Sequence, residues 1–128
     1  DLNPFSGVSA TQKAELGTIA VEKIVGNMKK KNLIKSLIDE FNERKTPEAQ
    51  FAYFCDKMEA DLMAKKYQNE GRISFDKVSS RILNDKRVQK ILSEGATTVA
   101  DVFIEYDVPK YSKSKIFSEL IQFLKDYK

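Results

Sequence analysis

The chain has 128 residues with 22 basic and 19 acidic side chains, a net charge of +3, one cysteine and no histidine. That length fits one ordinary domain able to bury a real core. Without histidine, and with Cys55 alone, these residues cannot by themselves build a histidine-ligated metal site, a Ser-His or Cys-His nucleophile pair, a structural zinc site or an intrachain disulfide.

In chain order, residues 1–8 read as a loop, because Asn3-Pro4 and Ser6-Gly7 are turn dipeptides. A first helix starts at Ser9, where Ser9 and Gln12 make a capping-box pattern. Leu16, Ile19, Ala20, Ile24 and Met28 follow at helical spacing, and Gly26-Asn27 predicts an end. A second helix covers 32–43, with Leu33, Ile34, Leu37, Ile38 and Phe41 on one stripe. The third has the clearest start: Thr46 can cap, Pro47 suits the first helical position, and Glu48 favours the positive end of the dipole. It runs to about Asn69 and stops at Gly71. Its apolar positions (Ala49, Phe51, Ala52, Phe54, Cys55, Met58, Leu62 and Met63) are too broad for one stripe, so it reads as a central helix buried on more than one face. Shorter helices follow at about 75–83 and, after Asn84-Asp85, at 86–93. Thr98 can cap a helix through about Tyr106, and Ser112 can cap the last, whose core face is Ile116, Phe117, Leu120, Ile121 and Leu124. The expectation is an all-α, irregular bundle of about six helices, with residues 1–128 as a single domain.

Other compositional features narrow the function. Lys29-Lys30-Lys31 is the only basic run. It sits at a helix junction with no interleaved aromatic, so it reads as a solvated surface, and no nucleic-acid partner is expected. No apolar run approaches the ~18 residues of a membrane span, so no membrane partner is expected. No signal peptide is visible at the start, and a lone cysteine fits a reducing compartment; the expected location is cytoplasmic.

What remains for chemistry is carboxylates. Asp56 lies mid-helix and shares a face with Ala49, Ala52, Ala60 and Met63, which predicts a semi-buried position. A carboxylate there is either paired with a lysine or arginine from another helix or bound to a metal. Glu59 sits three residues on and can reach the same side. Tyr53 and Tyr67 read as packing residues before nucleobase contacts, Cys55 as a small core residue, and Arg44-Lys45 as a solvated loop before a phosphate site.

Thr46-Pro47-Glu48-Ala49-Gln50-Phe51, followed by Cys55-Asp56-Lys57-Met58-Glu59, resembles the later half of HD-domain hydrolases, in the branch that includes 5'-deoxynucleotidases. There a Thr-x-Glu-Ala-x-Phe entry leads into a helix carrying Asp-Lys-x-Glu. The resemblance covers roughly residues 1–70, with a weaker likeness at Val102-Phe103-Ile104-Glu105-Tyr106-Asp107. It implies an HD-domain-like fold and metal-assisted hydrolysis of a phosphoester, in which a divalent ion lowers the pKa of bound water. It implies Asp56 as the last metal ligand, the others being a histidine and a His-Asp pair. Lys57 and Glu59 would orient the ligands, or else form a solvated pair on the helix rim. Asp1-Leu2-Asn3-Pro4 resembles the piece just after the His-Asp pair, which makes Asp1 a candidate to handle a proton near the leaving oxygen. A frayed terminus is the alternative.

The implied cofactor is a divalent metal among manganese, cobalt, zinc, iron and magnesium; mixed histidine and carboxylate ligation suits the first four better than calcium. The implied substrate is a (deoxy)nucleoside 5'-monophosphate, and the implied assembly a homodimer. The pattern departs from the family in lacking both ligand histidines and the His-Asp aspartate, which places the rest of the site upstream of an expected C-terminal portion. The competing expectation is a non-catalytic helical interaction module derived from the same fold.

Overall fold

The computed structural model describes residues 8–127. They form seven α-helices and two 3-10 turns, and no strand occurs among the described residues. In order these are α1 (Ala10–Val25), α2 (Lys31–Glu43), α3 (Pro47–Asn69), a 3-10 turn (Phe75–Lys77), α4 (Ser80–Leu83), α5 (Lys86–Ser93), α6 (Val99–Asp107), a second 3-10 turn (Val108–Tyr111) and α7 (Lys115–Asp126). None of these helices is long and apolar enough to cross a membrane. The chain separates into two compact units, one up to Ala52 and one from Tyr53 onward.

In the first unit, the Ser9 hydroxyl accepts from the Gln12 amide while Gln12 reaches back to the Ser9 amide, so the predicted capping box starts α1. α1 and α2 pack together, and Glu22 pairs with Lys35 between them. The hydrogen bond and charge of Lys35 hold the Glu22 carboxyl below its ordinary range. α2 closes at Arg44, whose φ of 54° is left-handed. Such a conformation costs a non-glycine residue roughly 1–2 kcal/mol. Thr46 then caps α3: its hydroxyl accepts from the Ala49 amide at 3.2 Å and donates to Glu40 at 2.6 Å. Val25 and Ala49 are the buried apolar residues of this unit among the described residues.

The second unit holds the main core. Phe54 and Met58 of α3 pack with Ile104 of α6, Tyr111 of the second 3-10 turn, and Phe117, Ile121 and Leu124 of α7. Four aromatic rings meet there, with Phe54 5.2 Å from Phe117 and 6.0 Å from Tyr111 between centroids. A smaller cluster joins Val88 and Ile91 of α5 to Val102 of α6. Asp85 caps α5, and Thr98 with Asp101 makes a second capping box at α6. Gly71, at φ +67°, terminates α3 as expected.

Several expectations are corrected. The helix predicted at 75–83 is split, because Val78 and Ser79 are extended and separate the first 3-10 turn from α4. The last helix is capped by Ser114 and not Ser112. The 3-10 turn around Pro109 uses up Val108–Tyr111, and the Ser112 hydroxyl turns back to the Pro109 carbonyl. On α3 the buried side chains are Ala49, Phe54, Met58 and Asp61, whereas Phe51 and Leu62 are 61% and 52% exposed and Cys55 is exposed. In the second unit Phe54, Met58 and Asp61 recur at i, i+4 and i+7, a single stripe. Apolar residues on the flanks state a preference for burial but do not supply the surface that would cover them.

Candidate functional site

α3 presents the residues singled out from sequence. Asp56 stands two positions after Phe54 and two before Met58, so the helix turns it away from the stripe that those two residues bury. Its side chain is 56% exposed, and its carboxylate meets the Lys57 ammonium at 2.9 Å. The semi-buried position expected for Asp56 is therefore corrected: the alanine positions used to place it do not define the packed face. Lys57 is half-buried, with its ammonium 5.8 Å from the Tyr53 ring centroid. Burial pulls the Lys57 pKa down, but the Asp56 hydrogen bond and the charges of Asp56, Tyr53 and Asp107 outweigh it, so the net shift is upward. Lys57 remains a cation at neutral pH. Glu59 is exposed. Asp1 lies outside the described residues.

The weaker candidates fall into structural places. Tyr53 is half-buried against the main core, and Tyr67 lies 5.6 Å from the Arg72 guanidinium. Arg44 closes α2, and Lys45 pairs with Glu43 at 3.0 Å.

The donor set can be tested against a divalent metal. No group of three histidine, cysteine, aspartate or glutamate side chains gathers among the described residues, and the sequence holds no histidine. Asp56 offers one carboxylate, already engaged with a cation. These residues do not fit a complete metal site by themselves.

The buried carboxylate of α3 is Asp61, which sequence reading passed over. It is fully buried, and the Tyr111 hydroxyl donates to its Oδ2 at 2.5 Å. Burial pushes its carboxyl up to about 7; the Tyr111 hydrogen bond and the charges of Lys110 and Lys57 oppose this, while Asp107 adds to it. Asp107, 4% exposed, pairs with Lys110. Burial and the Asp61 contact in turn raise the Tyr111 hydroxyl well above its ordinary value. The signal was present in the spacing, since Asp61 falls three residues after Met58 and seven after Phe54. A cleft of about 420 Å³ elsewhere in this unit is lined by Glu94, Asp101, Glu105, Lys125, Asp126 and neighbouring apolar residues. Glu105 is paired with Lys125 there, and Asp101 serves the α6 cap.

The HD domain family model matches residues 1–100. The chain belongs to the HD domain family. No curated protein and no solved structure matches it. HD domains are generally hydrolases that bind divalent metals. In this HD domain the matched region contains all of α3 and ends at Ala100, at the start of α6. Ile104, Tyr111, Phe117, Ile121 and Leu124, which pack on α3, lie beyond it.

Proposed function

We propose that this chain is the part of an HD-type metal-dependent phosphohydrolase that carries the last ligand aspartate, Asp56. The observation that carries this reading is the HD match across residues 1–100 together with an accessible Asp56 in the Asp56-Lys57-Met58-Glu59 segment of α3. The histidine ligands would come from outside these 128 residues, since the sequence has none. The proposed substrate is a (deoxy)nucleoside 5'-monophosphate, as in the 5'-deoxynucleotidase-like branch. Lys57 holds Asp56 in place until a metal competes for its carboxylate, and Glu59 lies one turn along the same helix. Asp1 is proposed to handle a proton near the leaving group. Exposed Ile116, Phe123 and Tyr127 support self-association, in keeping with a cytoplasmic homodimer.

The test is metal binding and nucleotide phosphatase turnover in the whole protein, with and without Asp56→Ala. The reading expects the variant to lose both; retained activity would remove Asp56 from the site. A second reading is a non-catalytic helical interaction module; Asp56 is paired, as that reading expects, but with Lys57 of its own helix and without being closed off. It expects no metal-dependent turnover in either protein.

A further inference from the structure

Asp61 meets charged or titratable groups from the second 3-10 turn, from α6 and from α3 itself. From the second 3-10 turn come the Tyr111 hydroxyl, at 2.5 Å from Oδ2, and the Lys110 charge. From α6 comes the buried Asp107, to which Lys110 is paired. From α3 itself comes Lys57. The α7 residues in the core around Tyr111 are apolar: Phe117, Ile121 and Leu124. Among the described residues Asp61 Oδ1 has no hydrogen-bond partner.

This arrangement suits a neutral carboxyl better than an ion. A buried carboxylate needs several donors or a close cation, and here one neutral hydroxyl meets it. The nearest cation on the 3-10 turn is already engaged by Asp107. The phenol can donate or accept, so the Tyr111 contact can form in both protonation states. Ionisation therefore leaves a charge in the dry core between α3 and the segment after α6, where the Tyr111 hydroxyl is its one hydrogen-bond donor among the described residues.

We propose that Asp61 and Tyr111 form a proton-controlled latch: a neutral Asp61 seats residues 108–126 on α3, and an ionised Asp61 loosens them. The phosphohydrolase reading is not needed for it. Burial places the switch near neutrality, since it pushes the Asp61 carboxyl up to about 7 from an ordinary 3.8. A folded-state value above the unfolded one means that the folded chain holds the proton more tightly. The contribution to stability is thus full below the unfolded value, is lost as pH rises through the folded value, and is constant above it.

The experiment follows amide hydrogen exchange and thermal unfolding of the full chain from about pH 5 to about pH 8, for the unmodified protein and Asp61→Asn. A carboxyl NMR titration of the unmodified chain, labelled at aspartate, accompanies it. The latch expects protection across 108–126 to fall as pH rises, with the folding equilibrium weakening by up to about tenfold per pH unit. Asp61→Asn should remove that slope, and one carboxyl absent from the Asp61→Asn spectrum should titrate near neutrality. A slope unchanged in Asp61→Asn, or an Asp61 carboxyl titrating in the ordinary aspartate range, would overturn it. If Asp61→Asn fails to fold, the titration of the unmodified chain decides, with Asp61 assigned through its Tyr111 neighbour.

Discussion

Tyr111 donates its hydroxyl to Asp61 across fifty positions of sequence, joining the turn after α6 to the helix that carries Asp56. Both side chains are fully buried, so the bond cannot be exchanged for one to solvent without opening the core.

Tyr111→Phe keeps the ring and removes the donor. Asp61 then has no hydrogen-bond partner for either oxygen among the described residues. The expected loss is about 1–3 kcal/mol in urea unfolding, larger at alkaline pH than at acid pH because the ion suffers more than the neutral acid. The Tyr111 hydrogen bond lowers the Asp61 carboxyl, so its loss should move that titration further upward. An equal cost at all pH values would show that Asp61 does not change its charge over that range, and no cost would show that only ring packing matters.

Thr46→Ala removes the acceptor for the Ala49 amide and the donor to Glu40. The expected cost is about 1 kcal/mol, read as a drop in melting temperature. Thr46→Ser should recover most of it. An unchanged melting temperature in the alanine variant would mean that α3 does not depend on this cap.

Ile121→Ala opens a cavity among Phe54, Met58 and Tyr111. Ile121 is 1% exposed, and such truncations cost about 2–5 kcal/mol. Ile116→Ala, at 66% exposure on the same helix, should cost under about 0.5 kcal/mol in the isolated chain. Equal effects would place the core on the wrong face of α7.

Start and stop signals were the most legible part of the sequence. The Ser9-Gln12 box, the Thr46-Pro47 start, the Thr98 cap and the Gly71 stop all depend on side-chain or backbone chemistry within a few residues, and all appear. The family was legible too, through the Asp56-Lys57-Met58-Glu59 segment and its lead. The buried carboxyl was not. Alanines neighbouring Asp56 made it resemble the packed position, but large side chains define a core, and the Phe54-Met58 spacing points to Asp61. Exposure of Phe51, Cys55 and Leu62 was illegible because burial is set by partners distant in sequence. The break at Val78-Ser79 and the shift from Ser112 to Ser114 turned on which of two neighbouring serines meets extended backbone, a choice that helical periodicity does not register.

The end of the family match and the edge of the folding unit are different places. A fragment cut at Ala100, the limit set by kinship, would keep Phe54, Met58 and Asp61 yet discard every α6, 3-10 and α7 side chain that shelters Phe54 and Met58. Such a fragment would expose two large apolar side chains and a carboxyl adapted to a dry interior. Dissecting this protein by homology alone would therefore sever its heart, and a minimal piece that keeps the aspartate helix folded must extend at least through Leu124.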